Sequence, residues 1–115
     1  HQVKIDIPLI PVAFERFSLP LRELLYALVL ELMGNAIRHG GPAAYIHVAL
    51  GLEKGIVYVE VLDHGRGFEQ DSTPLSKYGL GFWQKFVPDY LNGYFHVSSQ
   101  QGYGTVVRVH IPTLY

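Results

Sequence analysis

Residues 21–40 read LRELLYALVLELMGNAIRHG, a leucine-rich run whose second half gains polar groups without losing its period. Apolar residues recur at Leu21, Leu25, Leu28, Leu32 and Ala36, the three-and-four spacing of one buried helix face. Ser18 suits an N-cap, Pro20 is tolerated in a first turn, and Gly40-Gly41-Pro42 supplies a stop, so the spacing predicts a helix over residues 19–39. Its last two turns carry Glu31, Asn35, Arg38 and His39. The first three stack on one face and His39 lies at its edge. Burying a carboxylate and a carboxamide together is costly unless a partner satisfies them. Such a set offers a carboxylate and an amide oxygen to a hard cation, and a guanidinium and an imidazole to phosphate oxygens. The same residues also suit the solvated face of an amphipathic helix, and the helix alone does not decide between the two.

A chain of 115 residues with 49% hydrophobic content predicts one compact domain spanning residues 1–115. With a net charge of -1 and scattered Lys and Arg, it has no electrostatic footprint for a nucleic-acid backbone or an anionic membrane. No apolar run approaches bilayer length, Glu31 interrupts the longest, and no signal peptide is recognisable, so no direct membrane contact is expected. The absence of cysteine removes disulfides and thiolate metal sites and is compatible with a reducing cytosol. A first residue of His1 rather than Met suggests a piece of a longer protein.

Around the helix the chain reads as strands. Residues 3–7 alternate apolar and polar, and Pro8 and Pro11 mark a loop after them. Residues 44–50 and 56–62 are β-rich runs joined by GLEKG, which predicts a hairpin with a five-residue loop. Residues 68–78 are polar, aperiodic and proline-containing, hence a surface loop. Residues 80–91 suit a second helix that Pro88 should kink or shorten. Residues 94–99, a QGYG turn and the alternating run 105–111 close the chain. The expected fold is α+β, a two-layer sandwich with a mixed sheet of about five strands and two to three helices on one face.

Three further stretches bear on the helical notch. In VLDHGRGFE the second hairpin strand runs into Asp63, followed by Gly65 and Gly67. A carboxylate at a strand end can accept a hydrogen bond from an exocyclic amine, and bare backbone lets a flat ring approach, although a simple turn has the same pattern. In KYGLGFW, Gly79, Leu80 and Gly81 open the second helix, where free N–H groups favour an anion. QGYGTVVRVHIP places glycines before a strand that begins with the Thr105 hydroxyl. None is a dinucleotide fingerprint, and no Walker sequence is present.

In this order the pieces resemble the ATP-binding domain shared by DNA gyrase, the Hsp90 chaperones, sensor histidine kinases and MutL, the GHKL family with its Bergerat fold. Glu31-x-x-x-Asn35-Ala36-x-Arg38-His39 is similar to its N box, Asp63-x-Gly65-x-Gly67-Phe68 to its G1 box, Gly79-Leu80-Gly81 to its G2 box, and Gly102-x-Gly104-Thr105 to its closing motif. The short stretch between Phe68 and Gly79 resembles the lid of histidine kinases that serve regulators with helix-turn-helix outputs.

The resemblance implies ATP and Mg2+ as ligands. It gives Asn35 to magnesium, Glu31 to orienting a water, Arg38 and His39 to phosphates and Asp63 to the adenine amine. Gly65 and Gly67 would flank the base, Gly79, Leu80 and Gly81 would cap the phosphates, and Thr105 would join the water network around Asp63. FWQKFVP departs from the family, whose next helix usually carries a methionine and an acid-arginine pair. Trp83 in that helix reads as a core residue, and His47, His96 and His110 share no metal-ligand spacing.

The expected function is the catalytic domain of a two-component sensor histidine kinase that presents the γ-phosphate to a histidine on a separate dimerisation helix and serves a response regulator indirectly. Its expected place is the cytoplasm, free or as the cytosolic part of a membrane-bound kinase. An anti-sigma-factor serine kinase and a degenerate nucleotide-binding interaction module are the alternatives.

Overall fold

The computed structural model describes residues 4–6, 17–40, 45–66 and 80–113, with the backbone alone for residues 4–6, 39 and 40. The elements run β1 (Lys4–Asp6), α1 (Leu19–Gly40), β2 (Tyr45–Glu53), β3 (Ile56–Asp63), α2 (Gly81–Leu91), β4 (Tyr94–Gln100) and β5 (Gly104–Pro112). They form a five-stranded sheet in the order β1-β2-β3-β5-β4, with β1 parallel to β2 and every other pair antiparallel. The architecture is the expected α+β sandwich with a mixed sheet. The expected loop over residues 68–78 lies outside the described residues.

Helix α1 starts as its sequence predicts. The Leu21 amide donates to the Ser18 hydroxyl at 3.3 Å and the Arg22 amide to the Ser18 carbonyl at 3.0 Å, so Ser18 satisfies two of the first-turn donors. Leu25, Leu28, Leu32 and Ala36 are buried, as the spacing requires. Helix α2 begins at Gly81 and ends within one turn of Pro88, which lies inside it. Its close is a left-handed Asn92, with the Gly93 amide donating to the Val87 carbonyl at 3.0 Å. The helix runs through Pro88 to the expected Leu91, so the proline does not shorten it.

The β2–β3 hairpin differs from expectation. Its strands continue through Gly51, Leu52 and Glu53, and the connection is only Lys54-Gly55, with φ of 52° and 76°. Two left-handed residues give a turn whose twist matches that of the strands, so pairing persists to Glu53 opposite Ile56. Gly51, expected in the loop, sits in the strand opposite Tyr58.

The core lies between the helices and one face of the sheet. Helix α1 packs on β3, β2 and β5, and α2 on β4 and β5. Along β3 burial alternates strictly, taking Val57, Val59, Val61 and then Asp63. Register extends this alternation across the sheet. Val48, Val61, Val107 and Val97 form one rung, and the next rung along is Ile46, Asp63, Thr105 and Ser99. Trp83 and Val87 bring α2 onto the same core.

Candidate functional site

Asn35, Asp63 and Thr105 are the three buried polar side chains among the described residues, at 4%, 5% and 6% exposure. All three had been singled out in the sequence. Asn35 takes the position on the α1 core stripe that follows Leu28 and Leu32, and its Oδ1 has no hydrogen-bond partner. A buried carbonyl oxygen left unpaired costs about 1–3 kcal/mol. It is an acceptor held ready for a donor or a cation.

Glu31 and Arg38 lie beside it on the exposed flank of α1. Their side chains meet at 3.5 Å, seven residues apart, with 38% and 54% of their surfaces exposed. Screening makes such a pair worth under about 1 kcal/mol, so an anion can draw Arg38 away from it at little cost. The guanidinium lies over Gly34, where a built Cβ would sit 3.1 Å from Nη1. Gly34 is thus part of the site's construction, and the sequence reading passed over it. His39 occupies the last turn of α1; its side chain is outside the described set.

The second group stands at the end of β3. Asp63 accepts the Gly65 amide at 2.9 Å and a hydrogen bond from the Thr105 amide. Burial pushes its carboxyl above the ordinary value of 3.8, while these two amides and His64 act in the opposite direction. Across the strand, the Thr105 hydroxyl meets the Ser99 hydroxyl at 2.8 Å. The motif's Gly104 has φ of 110°, and a Cβ there would collide with the Asp63 carbonyl. Glycine at this position lets β5 close against the Asp63 main chain. The Gly102 amide donates to the Arg66 carbonyl at 2.6 Å, tying the β4–β5 turn to the segment after β3.

The third group is the start of α2. Leu80 is fully buried and takes the N-cap position without a side-chain cap, leaving the first-turn N–H groups beyond Gly81 without an intrahelical partner. Gly67 and Gly79 lie outside the described residues. Among the described residues no group of three or more His, Asp or Glu side chains is placed to hold a metal, and no helix is long and apolar enough to cross a membrane.

A profile of the histidine kinase-, DNA gyrase B-, and HSP90-like ATPase family matches residues 21–114, a span that takes in all three groups. The chain belongs to this family. Membership makes it an ATP-binding domain. It is similar to the sensor histidine kinase LiaS of Bacillus subtilis (strain 168), 32% identical over 88 residues that are 76% of this chain and 24% of the relative. It is also similar to the oxygen sensor histidine kinase NreB of Staphylococcus carnosus (strain TM300), 29% identical over 85% of this chain and 28% of that protein. The chain thus spans about a quarter of the length of these relatives.

In fold it matches the catalytic domain of the histidine kinase ThkA, with a TM-score of 0.72 at 17% identity, covering 96% of this chain and 78% of that one. It likewise matches ThkA in complex with the response regulator protein TrrA, with a TM-score of 0.70 at 18% identity, covering 97% and 34%.

Proposed function

We propose that this chain is the ATP-binding catalytic domain of a two-component sensor histidine kinase, one domain over residues 1–115, working in the cytosol or as the cytosolic part of a membrane-bound kinase. It presents the γ-phosphate of ATP to a histidine on a separate dimerisation helix of the same kinase, which then serves a response regulator. The observation that carries the reading is the buried, unpartnered Asn35 Oδ1. A neutral hard oxygen of this kind suits Mg2+, which takes few protein ligands and fills its shell with phosphate oxygens and water. Asn35 would hold the ion. When bound, it neutralises charge on the triphosphate.

The remaining roles belong to side chains and backbone of this chain. Asp63 accepts the exocyclic amine of adenine, and Gly65 and Gly67 leave the ring room beside the main chain. Thr105 completes the polar contacts around Asp63. Arg38 leaves Glu31 for phosphate oxygens, with His39 beside it, and Glu31 is then free to orient a water. Gly79, Leu80 and Gly81 offer backbone donors and the α2 dipole to the phosphates. Phosphoryl transfer depends mainly on positioning and charge neutralisation, so the domain supplies an oriented nucleotide and the partner helix the nucleophile.

Titration calorimetry of the chain with ATP, with and without magnesium, tests the reading. The expected result is magnesium-dependent binding whose magnesium-dependent part is lost in Asn35→Ala. Unchanged magnesium dependence in that variant overturns the role of Asn35. A chain that binds no ATP in either condition overturns the function. Acid-stable label on the serine of an added antagonist protein would turn the function toward an anti-sigma-factor kinase.

A further inference from the structure

We propose that Ser99 is a positioning residue for base recognition, which directs the Thr105 hydroxyl proton away from Asp63 and so keeps the Asp63 carboxylate open to an amine donor on the ligand. The proposal rests on the reading of Asp63 and Thr105 as the base-reading end of an ATP site. No motif in the sequence points to Ser99; the rung does. Asp63, Thr105 and Ser99 lie side by side on β3, β5 and β4, on one face of the sheet, paired residue to residue.

Ser99 has a single hydroxyl proton, and its hydroxyl donates to the Gly104 carbonyl at 3.2 Å. Either hydroxyl could donate in the 2.8 Å contact between them, and the arrangement that makes both bonds runs it from Thr105 to Ser99. With its proton committed toward β4, the Thr105 side chain has none for Asp63. Among the described residues the carboxylate receives the Gly65 and Thr105 main-chain N–H groups, two donors for about four lone-pair sites.

Without the Ser99 hydroxyl, the Thr105 proton loses that acceptor, and the charged group on the neighbouring strand is Asp63. A hydroxyl donated to the carboxylate competes with a ligand amine for the same lone pairs. The effect is selective, because it weakens recognition of an amino group and leaves phosphate contacts alone.

The test compares Ser99→Ala, Ser99→Thr and Ser99→Ala in a Thr105→Val background. In calorimetry, Ser99→Ala is expected to lose about five- to tenfold in ATP affinity, the worth of one hydrogen bond. Inorganic triphosphate should bind as before, and the preference for ATP over GTP should narrow. Ser99→Thr, which keeps the hydroxyl, should restore both. In the Thr105→Val background the same change should cost nothing further, since Ser99 acts through Thr105. An equal loss for ATP and triphosphate, an undiminished loss in the Thr105→Val background, or no loss overturns the proposal.

A second measurement needs no nucleotide. Followed by carboxyl-carbon NMR in the ligand-free chain, Asp63 should titrate at lower pH in Ser99→Ala than in the unmodified protein, because a new hydroxyl donor favours its charged form. Ser99→Thr should leave it in place. An Asp63 titration unmoved by Ser99→Ala overturns the proposal even where ATP binds as expected. A shifted Asp63 in a chain that binds no ATP sustains the proton direction and overturns the functional reading instead.

Discussion

Two neighbouring rungs of the sheet have the same architecture and opposite chemistry. One is Val48, Val61, Val107 and Val97, all buried; the next is Ile46, Asp63, Thr105 and Ser99. Both face the helices, and both continue the period-two burial of their strands. The valine rung sheds water and asks nothing in return, since its packing satisfies every atom it contributes. The polar rung must satisfy itself, and among the described residues main-chain amides and a hydroxyl pair occupy part of its hydrogen-bonding capacity. The comparison teaches that the end of the domain proposed to read the base is an extension of the core in which hydrocarbon has been exchanged for acceptors. It is not a cleft added to a finished fold.

The largest expected effect breaks the polar rung's geometry. Gly104→Ala sets a Cβ against the Asp63 carbonyl in a left-handed backbone position. It should destabilise the fold by about 3 kcal/mol, measured by urea unfolding, and abolish ATP binding. Stability near that of the unmodified chain would mean that the two strands need not approach as they do.

Exchanging chemistry between the rungs comes next. Val107→Thr buries a hydroxyl among valines and should cost about 1–3 kcal/mol. Thr105→Val, one rung away, should leave the urea midpoint within about 0.5 kcal/mol of the unmodified protein while lowering ATP affinity. Equal losses of stability for both would erase the distinction between the rungs.

Asp63→Asn addresses charge alone. The folded-state carboxyl titrates above 3.8 because burial disfavours its ionised form. The folded state therefore binds the proton more tightly than the unfolded chain, and this group's contribution to stability is lost as pH rises from that value through the raised one. Asp63→Asn should make the ligand-free fold more stable near neutral pH, by less than Val107→Thr takes away, with the advantage vanishing toward the acid end of the window. ATP affinity should fall with the same substitution, since the amide lacks charge assistance. Urea midpoints compared across pH 4 to about pH 7 check the sign.

The smallest effect lies on the open face of the same strands. Arg108 donates to Glu60 at 3.0 Å with both side chains close to half exposed. Arg108→Ala should cost under about 1 kcal/mol and leave nucleotide binding untouched.

Much of this was legible in the sequence. The alternation Val57, Val59, Val61, Asp63 puts the aspartate in phase with core valines, and the leucine period of α1 reaches Asn35 and Ala36 in the same way. A polar residue that keeps a buried period is conspicuous, although the sequence marked Asp63 as a strand-end acid and Asn35 as part of a polar notch. The notch on α1 was legible only as a face. Glu31, Asn35 and Arg38 share that face in projection, but the fold buries Asn35 and leaves the other two at the rim, and that division depends on where the sheet stops covering the helix.

Two features escaped for local reasons. Glycine in GLEKG looks like a loop residue, yet a Cβ added at Gly51 would meet nothing within 4 Å and the ladder passes through it undisturbed. Ser99 has no motif, and only counting pairs outward from the turn, Gln100 with Gly104 and then Ser99 with Thr105, reveals its place.

The packing of α2 carries a consequence for spectroscopy. Trp83 is the chain's single tryptophan, 7% exposed, two residues past the start of that helix, and set edge-on to Phe82 and Phe86 with ring centroids 5.2 and 5.8 Å away. Its fluorescence therefore comes from one environment, largely shielded from water and bordered by two aromatic rings. Emission wavelength and collisional quenching by a small solute report on the seating of α2 without any introduced dye.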